Sequence, residues 1–186
     1  MSKILICGDS FAADWSKKYD GVGWVNMFEN EHVVTNIAEA GVSEYKIYKQ
    51  LESVNINKFD KIIVSHTSPY RIPVKEHPIH SKDMLHYNCD LIYSDLKEHV
   101  NNPLIKSAID FYENFYDIDY ACFVHDLIVK EINLKYKNLI NITFFSSNKN
   151  MYNFEDIFLK NKGLMNHMND KGNKIIYNKI KELINE

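Results

Sequence analysis

Short apolar runs recur along this chain and alternate with stretches whose apolar residues repeat at helical intervals. KILIC (3–7), HVVTN (32–36), DKIIVS (60–65) and LINITFF (139–145) have strand length, are rich in Ile and Val, and end at glycine or polar residues, which predicts four β-strands. Between the first two, residues 22–29 bring Val22, Val25, Met27 and Phe28 close together. Residues 43–54 carry Tyr45, Tyr48, Leu51 and Val54 at spacings of three behind Ser43, a suitable N-cap. Near the end, residues 169–185 place Ile175, Ile176, Ile180, Leu183 and Ile184 on one face of an amphipathic helix. Strands separated by helices predict βαβ units, a parallel sheet and a layered α/β fold.

Residues 72–136 break this rhythm. Pro73 and Pro78 mark a loop, and helical patterns follow over 89–100, 103–115 and 119–136, with Pro103 well placed in a first turn. This crossover is longer than a connection between two strands needs, so part of it is expected to cap the crevice at the sheet edge. Its aromatics, Tyr87, Tyr93, Phe111, Tyr112, Phe115, Tyr116, Tyr120 and Phe123, suit either a plain helix core or an apolar acyl or sugar pocket. There is no internal repeat and no composition shift, so residues 1–186 are read as one domain with a cap-like helical insertion at about 72–136.

Composition narrows the function. Hydrophobic residues at 45% and charged residues at 25% are ordinary for a globular protein, and a net charge of −3 without a basic cluster argues against nucleic acid as a partner. No apolar segment approaches a membrane span, and the N-terminal run is too short for a signal-peptide core, so a cytoplasmic protein with no membrane partner is expected. Cys7, Cys89 and Cys122 lie far apart with no CxxC pair, as expected of reduced thiols. Arg71 is the only arginine; just after a strand, it is either a surface cation or a bidentate anion binder.

Chemistry concentrates in ILICGDSFAADW (4–15), where the first strand empties into a small polar turn. In a parallel sheet the loops after the first three strands, at 8–10, 38–43 and 65–71, leave on one side, where the ligand crevice lies. Ser10 there either caps the next helix or stands in that crevice. His167, shortly before the last helix, could reach back to it, and a serine, a distant histidine and backbone donors are the parts of an acyl-transfer site.

ILICGDSFA resembles the first block of the SGNH/GDSL hydrolases, with the nucleophile at Ser10. NIAEAGVS is similar to the second block, with Asn36 and the oxyanion-holding Gly41, and NHMNDKGNKI to the last, with His167 and Gly172. The resemblance spans roughly residues 3–71 and 139–184. It implies a flavodoxin-like, three-layer α/β/α sandwich and hydrolysis of an acetyl or short acyl ester on a carbohydrate or other small molecule. In that reading Ser10 attacks, His167 is the base, and the N–H groups of Ser10 and Gly41 hold the oxyanion with Ser68 or Thr67. Asp9 braces the turn, while His66 and Arg71 bind polar groups of the substrate.

Two helpers of the family are absent from their places. HTSPYR stands where Gly-x-Asn-Asp is usual, so Ser68 replaces the oxyanion-hole asparagine, and Leu164 occupies the position of the triad acid. Asn166, Asp156 or Asp170 would have to orient the imidazole. An O-acyltransferase and a catalytically silent binding module on the same fold are therefore the competing readings. His77, His80, His86 and Cys89 are zinc-competent side chains, but their spacing matches no familiar metal motif. No metal or cofactor is expected, and the bland alternative is a polar loop with surface histidines.

Overall fold

The structure, a computed structural model, describes residues 1–17, 22–80, 85–146, 148, 150–163 and 167–185. Its centre is a parallel sheet in the order β2-β1-β3-β6-β7, formed by β1 (Lys3–Gly8), β2 (Val33–Asn36), β3 (Lys61–His66), β6 (Leu139–Thr143) and β7 (Tyr152–Asn153). Register runs Ile6↔Ile63 and Gly8↔Ser65 between β1 and β3, and Ser65↔Ile142 between β3 and β6. The four predicted strands are present, and β7 is an edge addition of two exposed residues that no apolar run announces. Both edges are short, which limits edge-to-edge pairing with another chain.

Period-two alternation divides the core into two layers. Ile4, Ile6, Ile63, Ile140 and Ile142 face α1 (Trp24–Met27) and α7 (Asp170–Asn185), where Trp24, Phe28, Ile176, Ile180 and Ile184 close over them. Leu5, Cys7, Ile62 and Val64 face the other way, against Ile47 and Leu51 of α2 (Glu44–Glu52) and Ile132 of α5 (Ile118–Lys135). The result is the three-layer α/β/α sandwich that the alternation of strands and helices leads one to expect.

The insertion is organised differently from its sequence pattern. In place of a helix over 89–100, Leu91–Ile92 forms β5, paired antiparallel with β4 (Arg71–Ile72), and only Tyr93–Leu96 is α-helical (α3), with a 3₁₀ turn over Lys97–His99. The cause is Asp90: its fully buried carboxylate accepts from the N–H groups of Ser43 (2.7 Å) and Val74 (2.8 Å) and pairs with Lys46 (2.6 Å), which stitches this stretch to the main domain in extended form. Leu91, Leu96 and Ile105, the last from α4 (Pro103–Asn114), make a small core separate from the sheet. The C-terminal half of α5, by contrast, belongs to the sandwich through Ile132. Among the described residues no helix is long and apolar enough to cross a membrane.

Candidate active site

Gly8 ends β1 with φ +148°, and a Cβ there would lie 2.6 Å from both Cβ and O of Ser65, so only glycine allows β1 and β3 to come this close where the site begins. The Gln50 side chain holds that peptide from both sides, accepting from Gly8 N–H (2.8 Å) and donating to Gly8 O (3.1 Å). The carbonyl of Asp9 then accepts from Ala12 and Ala13, which turns the chain and presents Ser10 at the C-terminal end of β1, half-buried. Asn36 fixes the same turn from β2 by donating to Ala12 O (2.8 Å).

Asp9 is fully buried and surrounded by donors. Its Oδ1 accepts from Phe11 N–H (3.1 Å) and Ser65 Oγ (3.4 Å), and its Oδ2 from Thr67 Oγ1 (3.1 Å) and the Arg71 guanidinium (3.1 Å). Burial pushes its carboxyl up against the opposing pull of Arg71, the Phe11 N–H and Thr67. Four donors aimed at one carboxyl group make it a brace for the Ser10 turn.

His167 is brought to this turn by aromatic packing. Its ring centroid lies 4.7 Å from Trp15 and 5.2 Å from Phe11, and Trp15 Nε1 donates to Ser10 O at 2.6 Å. One indole thus contacts both the serine backbone and the histidine, although 157 residues' worth of chain separate the two. Leu164 and Asn166 lie outside the described residues. Asp156 sits in α6 (Glu155–Lys160), and Asp170 opens α7.

Gly41 is buried with φ +77°, and a Cβ there would collide with Cys89 Sγ, so the residues around Cys89 are laid directly against this loop. Ala40 N–H donates to Leu85 O (2.8 Å) and Asp90 N–H to Gly41 O (3.0 Å), which closes the loop from the insertion side. Neither the Ser10 N–H nor the Gly41 N–H is taken by another acceptor among the described residues. Ser68 Oγ accepts from Tyr70 N–H (3.3 Å), which leaves its own proton to donate.

Three residues expected at the substrate have other partners. His66 is fully buried; its Nδ1 lies 2.6 Å from Glu44 Oε1 and its Nε2 2.9 Å from Asn141 Oδ1. The Val129 carbonyl settles the orientation: Asn133 Nδ2 donates to it, so Asn133 Oδ1 faces the Asn141 amide nitrogen, Asn141 Oδ1 faces His66, and His66 Nε2 is a donor. Thr67 is fully buried, with its hydroxyl on Asp9 and its N–H on Glu44 Oε2 (3.2 Å), so the oxyanion role expected of Ser68 or Thr67 has only Ser68 open to it. Arg71 spends its fork on Asp9 and on Val42 O (2.6 Å) with its side chain 8% exposed, which makes it a clamp between the loops after β1 and β2. The physical reason is common to all three: at the top of a parallel sheet, polar residues on the buried face must satisfy one another before they can serve a ligand. Arg71→Lys is accordingly expected to lower stability by about 1–3 kcal/mol, because an ammonium cannot hold both acceptors. Urea unfolding measures this.

The residues that sequence reading passed over are Glu44 and His125. Glu44 is buried and also meets His125 Nε2 at 3.3 Å, while that nitrogen lies 3.0 Å from Thr67 O. Burial alone would push the Glu44 carboxyl up, but the charges and hydrogen bonds of His66 and His125 outweigh it and hold it at about 2. Burial pulls His125 down, but its bond and attraction to Glu44 bring it above the ordinary imidazole value. Glu44 lies three residues before Ile47 and seven before Leu51 and so shares their buried helix face, the spacing that could have marked it.

Two cavities open beside Ser68 and Arg71. One of about 520 Å³ is lined by Tyr70, Tyr93, Tyr112, Tyr116 and Phe145 among others, and one of about 420 Å³ by Tyr45, Phe111, Phe115, Tyr116 and Tyr120. Ser10 and His167 are not among their walls. Most of the insertion's aromatics line these cavities, Phe111, Phe115 and Tyr120 as exposed residues at the rim, while Tyr87 and Phe123 are exposed away from them.

No protein-family model and no curated protein matches this sequence. Among solved structures, the chain is similar to the crystal structure of an acetyl xylan esterase, AlAXEase, over 97% of this chain and 98% of that one, with 14% sequence identity and a TM-score of 0.44.

Proposed function

We propose that this protein is a serine esterase of the SGNH/GDSL kind, acting on an acetyl or short acyl ester of a carbohydrate or other small molecule. The observation that carries the reading is the convergence of Ser10, at the end of β1, and His167, before α7, on the single side chain of Trp15. His167 takes the proton from Ser10 Oγ as that oxygen attacks the ester carbonyl carbon. The N–H groups of Ser10 and Gly41 and the Ser68 hydroxyl hold the oxyanion. Collapse of the tetrahedral intermediate breaks the C–O bond to the alcohol, which leaves with the proton from His167, and water then frees the acyl group from Ser10 by the same steps. The aromatic walls next to Ser68 suit the apolar faces of sugar rings or an acyl chain.

Fluorophosphonate labelling of the folded chain tests this. Wild type is expected to be labelled, and Ser10→Ala not. Label persisting in Ser10→Ala overturns Ser10 as nucleophile; no label on folded wild type overturns the esterase and leaves a binding module.

A further inference from the structure

The histidines of the insertion are not scattered over its surface. His80 stands at their centre: its ring centroid is 4.8 Å from His77, 5.2 Å from His86 and 6.0 Å from His99, and its Nε2 lies 3.0 Å from Asp95 Oδ2. Asp95, Glu98 and His99 follow one another at i, i+3 and i+4 through α3 and the 3₁₀ turn after it, so they share one helical face. The ligand atoms of Asp95, Glu98 and His99 lie within 4.8 Å of one another, as do those of His77, His80 and Asp95. Tetrahedral ligands about 2.0–2.1 Å from a zinc ion are roughly 3.4 Å apart, and the two groups share Asp95, which joins His80 to Glu98 and His99. Cys89, which the sequence spacing groups with these histidines, lies elsewhere, against Gly41.

His77 differs from the rest. It is 1% exposed, and its Nδ1 accepts from the N–H groups of Ile79 (3.2 Å) and His80 (3.1 Å), so in the neutral ring Nε2 carries the proton. Its Nε2 is buried and meets no hydrogen-bond partner among the described residues. A buried N–H without an acceptor is costly, and next to His80 and Asp95 a metal-bound water would supply one.

We propose that His80, Asp95, Glu98 and His99 bind a divalent transition-metal ion, zinc by the mixed nitrogen and oxygen character of the set, and that the His77 Nε2–H holds the water completing its coordination. On binding, the proton by which His80 Nε2 meets Asp95 is lost to solvent, the ring takes its Nδ1–H tautomer, and Nε2 turns from Asp95 to the ion. The ion would tie the 77–80 loop to the helical turn at 93–99, on either side of the Leu85–Asp90 stretch that closes over Gly41. Such a site is independent of the esterase reading.

Chelator-treated, untagged full-length chain titrated with zinc chloride is expected to bind one ion per chain, with a rise in melting temperature, and cobalt(II) chloride to give visible absorption bands of a low-coordinate nitrogen and oxygen site. His80→Ala/His99→Ala is expected to weaken zinc binding roughly 100-fold or more, and His77→Leu about 10-fold. Melting of each variant without metal reports whether it folds. Absence of zinc binding to folded wild type, or equal affinity in the folded double variant, overturns the proposal. If the double variant does not fold, Glu98→Gln with an unchanged zinc affinity and an unchanged cobalt spectrum overturns the ligand set.

Discussion

Replacing His167 by alanine is expected to lower kcat/KM on a short-chain aryl ester on the order of 10³-fold or more, almost wholly through kcat. The base acts on a proton that moves only in the transition state, so substrate binding in the ground state does not depend on it. Ser10→Ala is expected to cost as much, and Ser10→Ala/His167→Ala no more than either alone, since the two groups work as one unit. Stability should change little in Ser10→Ala, because Ser10 is half-buried and Trp15 uses its carbonyl, not its hydroxyl. A double variant that loses much more activity than the singles would show that the two residues contribute separately, and the Ser-His centre would fall. Steady-state kinetics on the three variants decides it.

The second large effect concerns stability. Glu44→Ala removes the carboxylate that serves His66, His125 and the Thr67 N–H together, and leaves buried His66 without its anion and His125 with only the exposed Asp126 at 3.6 Å. Breaking a buried ionic cluster by deleting one partner costs about 3–5 kcal/mol. Loosening Thr67 would also free Asp9 from one of its four donors, so activity is expected to fall together with stability.

The same cluster sets a pH window. The Glu44 carboxyl is lower when folded, so its stabilisation is complete above its ordinary value of 4.5 and is lost as pH falls toward about 2. His125 is higher when folded, so its contribution is complete below 6.5 and is lost as pH rises through its raised value. The two coexist between 4.5 and 6.5. Urea unfolding across pH is expected to show this maximum in wild type and a flatter profile in Glu44→Gln. An unchanged profile in that variant would refute the assignment.

Much of the site was legible because glycine and strand ends punctuate sequence sharply. Gly8 closes an apolar run, and no other residue tolerates both its φ and its approach to Ser65, so the place of Ser10 could be read directly. His66, Thr67 and Arg71 also stood at the right loop, but which of them faces a ligand was not readable. Their partners, Glu44, Asn141 and Asp9, come from three other elements, and hydrogen bonds over separations of 22 to 75 residues leave no periodic trace. The helix expected over 89–100 failed for a similar reason, since the stitch from Asp90 to Ser43 and Val74 overrides local propensity.

By itself the sequence determined the layered fold and the turn that carries Ser10, because alternating apolar positions and glycine constraints act over a few residues and need no distant partner. Only the tertiary structure decided that Trp15 joins Ser10 to His167, that Arg71 clamps Asp9 to the Val42 carbonyl, and that His80 meets Asp95. Each of these depends on which polar groups are driven to satisfy one another once the sheet has buried them, a choice made in three dimensions and not along the chain.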